Sequence, residues 1–182
     1  MRHIPNILSS VRLAMVGAFA YLFAKAHYLQ CLILFTAAFL TDLLDGYLAR
    51  RNNWVSDVGK VLDPLADKLM VLTALACFYF RGWLPLWILL AALGKELVMI
   101  VGGIALFRRE VVVYADWFGK SAAGFFNLGV ALTLAKFFLP WIGGANILVL
   151  CVALVLGLVA LVHYARLQVF GRRSAGDAGQ AR

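Results

Sequence analysis

Apolar residues run along this chain in blocks of about twenty, the length a membrane-crossing helix needs, separated by clusters of charge, glycine or proline. The blocks cover about residues 11–27, 30–50, 60–80, 84–107, 118–138 and 145–168. They lack the alternation of the roughly ten-residue strands that build membrane barrels. Gly82 and Pro85 punctuate the chain before the fourth block, and Pro140 with Gly143-Gly144 before the sixth. A shorter amphipathic segment occupies about residues 4–10. The pattern predicts an all-α integral membrane fold of six transmembrane helices plus a short N-terminal amphipathic helix. One domain is expected over residues 1–170. The polar, small-residue-rich stretch 171–182 predicts a disordered tail.

Arg2, Arg12, the apolar run 13–23 and Ala24-Lys25-Ala26 imitate a cleavable signal. Pro5-Asn6 and Ser9-Ser10 fit better as the start of an interfacial helix, so the segment is expected to stay.

Composition removes the soluble classes. The chain of 182 residues is 64% hydrophobic and only 14% charged, with a mean hydropathy of +0.89. Soluble domains are about 45–50% apolar. Net charge is +8, from 17 Lys and Arg against 9 Asp and Glu. In a soluble protein that balance suggests nucleic acid. Here cytoplasmic loop bias and attraction to anionic lipid account for it, and no nucleic-acid partner is expected.

Loop charges set an orientation. The odd loops carry Lys25, Arg81 and Lys136, about one cation each, whereas the second loop region has Arg50, Arg51 and Lys60 and the fourth has Arg108, Arg109 and Lys120. Arg166, Arg172 and Arg173 lie near the C-terminus. Both termini and the even loops are therefore expected on the cytoplasmic side of an inner-type membrane. Cys31, Cys77 and Cys151 lie far apart in apolar runs and read as small buried hydrophobes.

Chemistry concentrates in residues 42–67, DLLDGYLARRNNWVSDVGKVLDPLAD. Asp42 and Asp45 stand at i,i+3 on one helix, with Gly46 and Ala49 on the same side. Asp63 and Asp67 stand at i,i+4 on the next, with Gly59 one turn earlier. A carboxylate near the bilayer centre costs roughly 2.5–3.5 kcal/mol on insertion scales. Four together also repel, so a cation is expected among them, and an all-oxygen set suits Mg²⁺ or Mn²⁺. Magnesium commonly bridges carboxylates to phosphates, which points to a diphosphate ligand. The plain alternative pairs these aspartates with Arg50, Arg51, Lys60 and Lys68.

The segment resembles the signature D-x-x-D-G-x-x-A-R-x8-G-x3-D-x3-D of the CDP-alcohol phosphatidyltransferase family. Asp42, Asp45, Gly46, Ala49, Arg50, Gly59, Asp63 and Asp67 fill every fixed position. The length, the helix count and PNILSSVR near the N-terminus are similar to the family as well. The resemblance implies that the four aspartates hold two metal ions and that Asp67 also acts as general base. It places Gly46, Ala49, Arg50, Ser56 and Gly59 beside a cytidine diphosphate. It implies a homodimer in the bilayer acting on CDP-diacylglycerol, with an active site that the loop charges put at the cytoplasmic face.

Within the family, IPNILSSVR and LDPLADKLMV resemble the branch whose acceptor is glycerol 3-phosphate. Arg12, Lys60, Arg108 and Lys120 are then candidates for the acceptor phosphate. Two departures stand out: Gly119-Lys120-Ser121-Ala122-Ala123 where that branch has Gly-Lys-x-Lys-Thr, and Lys95-Glu96 where it has Arg-Glu. Cardiolipin synthases, which use phosphatidylglycerol, share TDLLDG and LDPLADK and are the alternative. A divalent-cation transporter is the rival from another class, but transport sites favour broken, repeated helices at the midplane.

Lys95 and Glu96 fall mid-helix and point about 100° apart, which predicts no easy mutual pair. Asn127 and Asn146 are expected to bond between helices. Trp83, Trp87, Trp117 and Trp141, near block ends, are expected in an interfacial belt.

Overall fold

The structure is a computed structural model that describes the backbone of residues 4–52, 59–107 and 117–179, with side chains described for residues 11–41, 66–101, 117 and 119–163. Among the described residues it is all-helical: α1 Ile4–Ala24, α2 Tyr28–Asn52, α3 Gly59–Phe80, α4 Leu86–Phe107, α5 Trp117–Ala135 and α6 Ala145–Gly179. A single 3₁₀ turn, Pro140–Ile142, lies between α5 and α6.

Two boundaries differ from expectation. Residues 4–10 are not a separate amphipathic helix but the opening turns of α1. Nothing from Asn6 to Val16 breaks a helix, and Pro5 sits in the first turn, where its missing N–H is tolerated. Helical backbone in α6 continues to Gly179, past residue 170 where the sequence predicts a tail; no proline follows Pro140 to interrupt it.

The bundle is built around two helix pairs, α5 with α6 and α1 with α3. α5 and α6 share the broadest contact, and α1 lies against both α2 and α3. α5 touches α2 and α3, while α4 leans on α3 and α6. Phe19, Cys31, Leu75, Phe78, Ile88, Val130, Leu134 and Leu150 are fully buried between them. Where α5 meets α6 a glycine sets the distance: a Cβ on Gly129 would lie 2.6 Å from Leu150 Cδ2. Asn146 on α6 donates to Thr133 Oγ1 on α5 at 3.1 Å, the interhelical bond the sequence predicts. Asn127 instead donates to the Ala123 carbonyl of its own helix at 3.0 Å, because that acceptor is one turn away and already in place. Cys31 is buried as expected, while Cys77 and Cys151 are half-buried; all three are free thiols.

Large apolar residues face outward along the helices, among them Ile33, Leu90, Leu97, Val101, Leu148 and Val155. In water such a surface would be an association liability. One described stretch, Ala145–His163, is long and apolar enough to cross a bilayer unaided; Val11–Ala24 and Tyr28–Thr41 are shorter apolar stretches.

The ends of the bundle are finished differently. The turns α1–α2, α3–α4 and α5–α6 gather Phe23, Tyr28, Phe78, Trp83 and Phe137, with ring centroids 4.7 Å apart for Tyr28–Phe137 and 5.4 Å for Phe23–Trp83. Trp83 is therefore a packing residue inside this cluster rather than a belt residue, because the turn following α3 folds it back over Phe78. Trp87, Trp117 and Trp141 are exposed, as a belt requires. Both helix ends here close with paired bonds: His27 N–H to Leu22 O with Ala26 N–H to Phe23 O, and Trp83 N–H to Phe78 O with Gly82 N–H to Tyr79 O. The second motif has Gly82 at φ 71°, but the first forces Ala26 to φ 60°. Arg81 adds a bond to the Ala24 carbonyl at 3.5 Å.

Candidate active site

The opposite end holds the aspartates. α2 carries Asp42, Asp45, Gly46, Ala49 and Arg50 in helical backbone near its C-terminus; α3 carries Gly59, Lys60, Asp63 and Asp67 in its first turns. The helical register therefore sets Asp42 with Asp45, and Asp63 with Asp67, on common faces. The side chains of Asp42, Asp45, Gly46, Ala49, Arg50, Gly59, Lys60 and Asp63 lie outside the described set, as do Ser56 and Arg108 entirely.

Asp67 is described, and it opens onto a cavity of about 110 Å³. Its walls come from four helices: Asp67, Lys68 and Val71 of α3; Ala92, Lys95, Glu96 and Met99 of α4; Gly119, Ala122, Ala123, Phe126 and Asn127 of α5; Gly157 and Ala160 of α6. Six of these residues are glycine or alanine, which leaves the space; the others are charged, amide or larger apolar side chains.

One carboxylate and two ammonium groups meet on the wall. Lys68 Nζ lies 2.7 Å from Glu96 Oε2, at ion-pair distance but off the angle of a good hydrogen bond. Lys95 Nζ donates to Glu96 Oε1. The sequence predicts no easy Lys95–Glu96 pair, and the structure corrects this. The lysine stem is long enough to turn back once its path is cleared, and α6 clears it: a Cβ on Gly157 would fall 2.6 Å from Lys95 Cδ. The ammonium then lies 5.1 Å from the Phe126 ring centroid, where the π face attracts a cation. Lys68, one of the cations that could have partnered the aspartates, pairs with Glu96.

Of the proposed phosphate-binding cations, Arg12 is buried in α1 and is not among the lining residues, and Lys120 is exposed beside Gly119, which does line the cavity. Sequence reasoning did not find Phe126 and Gly157. Phe126 carries no signal in an apolar run. Gly157 does: it is a lone glycine in Leu- and Val-rich sequence, the place where a neighbouring side chain passes.

The CDP-alcohol phosphatidyltransferase family model matches residues 2–164. The chain is 34% identical over 130 residues to a CDP-diacylglycerol--glycerol-3-phosphate 3-phosphatidyltransferase of Aquifex aeolicus, covering 70% of this chain and 73% of that protein. It is 33% identical over 171 residues to a probable phosphatidylglycerophosphate synthase of Mycobacterium tuberculosis, covering 89% and 79%. It is 37% identical over 139 residues to a CMP-forming cardiolipin synthase of Streptomyces coelicolor, covering 72% and 63%. The chain belongs to the CDP-alcohol phosphatidyltransferase family.

Proposed function

We propose that this protein transfers a phosphatidyl group from CDP-diacylglycerol to glycerol 3-phosphate, releasing CMP and forming phosphatidylglycerol phosphate. The observation that carries the reading is Asp67, the last carboxylate of a complete family motif, opening onto a cavity whose wall also holds two ammonium groups. Two of the relatives above bear names for this activity.

The residues divide the work. Asp67 takes the proton from the acceptor hydroxyl as its oxygen bonds to the lipid-side phosphorus. The bond from that phosphorus to the bridging oxygen breaks, and CMP departs with the electron pair. The oxygen donors of Asp42, Asp45, Asp63 and Asp67, paired on two helices, suit two Mg²⁺ or Mn²⁺ ions. Such ions supply neutralisation of the charge that develops on the transferred phosphoryl group and on CMP. Gly46, Ala49, Arg50, Ser56 and Gly59 border the nucleotide. The small residues allow its close approach.

The apolar outward faces and the cation-rich even loops support six helices spanning the membrane, with both termini and the site at the cytoplasmic face; the homodimer rests on the family resemblance alone. The reading is tested by CMP release from purified protein given CDP-diacylglycerol, Mg²⁺ and one acceptor at a time. Metal-dependent release with glycerol 3-phosphate supports it. No release with any alcohol favours a transport site instead.

A second acceptor has one observation behind it. Ala122 and Ala123 line the cavity where the resembled branch carries lysine and threonine, so the α5 wall is less cationic. That favours phosphatidylglycerol, as in a cardiolipin synthase. Release driven by phosphatidylglycerol and not by glycerol 3-phosphate decides for it.

A further inference from the structure

The three turns at the aromatic end each carry one Lys or Arg. Lys25 follows α1, Arg81 follows α3 and Lys136 follows α5, and all three side chains are exposed. Counted loop by loop they are sparse, but the fold brings them onto one face. Arg81 reaches the Ala24 carbonyl, next to Lys25, at 3.5 Å. Lys136 precedes Phe137, whose ring lies 4.7 Å from Tyr28 and 6.4 Å from Trp83. No carboxylate accompanies them: residues 1–41, 68–95 and 117–176 contain neither Asp nor Glu. Along α4 the first carboxylate is Glu96, about 15 Å from Leu86 at the rise of a helix. Helix dipoles do not neutralise the group either. α1, α3 and α5 end at this face with their negative ends, but α2, α4 and α6 begin there with their positive ends, so the contributions cancel.

Exposed rings share the face. Phe80, directly before Arg81, is 82% exposed, and Trp141 is 81% exposed. Lys25 Nζ lies 5.9 Å from the centroid of Tyr21, another outward ring, so cation and ring sit at one depth. Aromatic rings beside cations at helix ends mark the headgroup level of a bilayer, where the anion at hand is a lipid phosphate. We propose that the three turns form a docking surface for anionic phospholipid in the leaflet opposite the aspartates. Lys25, Arg81 and Lys136 take the headgroup phosphates, and the exposed rings lie along the adjoining chains. This uses the membrane-spanning part of the reading above and none of its transfer chemistry. Charge chooses among the lipids: phosphatidylglycerol offers the cations a full negative charge, whereas a zwitterionic headgroup brings its own ammonium. Arg81 keeps donors for a phosphate beyond the one given to Ala24, and the lysines act as point charges.

Trp54→Phe with Trp117→Phe leaves Trp83, Trp87 and Trp141, all in or beside these turns. That protein is reconstituted in phosphatidylcholine vesicles carrying a small fraction of chain-brominated phosphatidylglycerol or chain-brominated phosphatidylcholine, and tryptophan quenching is compared. Each cation held near a lipid surface is worth about five-fold in affinity. Brominated phosphatidylglycerol is therefore expected to be favoured by about ten-fold or more, and less so as salt is raised. Lys25→Gln with Lys136→Gln, which leaves the Arg81–Ala24 bond in place, is expected to bring the preference below about five-fold at an unchanged unfolding temperature. Adding Arg81→Gln is expected to remove it. Equal quenching by the two lipids before any cation is replaced overturns the surface, as does a preference that survives all three substitutions. Quenching by neither lipid overturns the membrane placement and the surface with it. The CMP-release test of the transferase reading stands apart from all of these outcomes.

Discussion

The two ends of this bundle use opposite means to hold helices together. At the end of the α1–α2, α3–α4 and α5–α6 turns, five aromatic rings pack against one another. At the end where α3 and α5 begin, three charged side chains do the joining, and a cavity stays open beside them. Aromatic packing is dense and insensitive to what binds elsewhere. Buried charge is costly to assemble but gives a ligand something to displace or complete. Stability and chemistry thus sit at different ends, and substitutions should separate them.

The largest separation is expected at Asp67. Asp67→Asn should lower CMP release about 10²–10⁴-fold, the range of a lost general base, while CDP-diacylglycerol still raises the unfolding temperature. Near-normal release by this variant removes Asp67 from the proton step. At the far end, Trp83→Ala empties the centre of the aromatic cluster and should cost about 3–5 kcal/mol of stability in detergent unfolding. Its KM for both substrates should not move; a large KM change would show that the two ends are coupled.

A smaller effect is expected from Gly157→Ala. The added methyl meets the Lys95 stem, so about 1–3 kcal/mol of overpacking is expected. The KM for glycerol 3-phosphate should rise as the ammonium shifts, and the KM for CDP-diacylglycerol should hold. Loss of stability without that KM change would make Gly157 a packing residue alone. The smallest change is Ala26→Gly. It relieves a left-handed alanine in the α1–α2 turn and should raise stability by up to about 1 kcal/mol with activity unaltered. A decrease would mean that the turn tolerates alanine without strain.

Much of this was readable in one dimension, for reasons that particular residues make plain. The aspartates announce themselves because carboxylates are rare in apolar sequence and their i,i+3 and i,i+4 spacing needs only a helix to be interpreted. The Asn146 bond was legible for the same reason: a lone amide in a span needs a partner. Lys95 and Glu96 were misjudged because helical angle describes where a Cβ points, not where a long stem ends. Trp83 was misassigned because distance from a helix end does not say which way the following turn folds.

Local pattern alone determined the helices, their order and the motif that marks the family, since each depends on hydrophobic periodicity or on spacing within one helix. Only packing decided that Lys68 of α3 meets Glu96 of α4, that Phe126 of α5 lies under Lys95, and that Gly157 of α6 lets the stem pass. Those contacts join residues distant in sequence, and their energies depend on burial and on a neighbour's shape, neither of which a linear pattern carries.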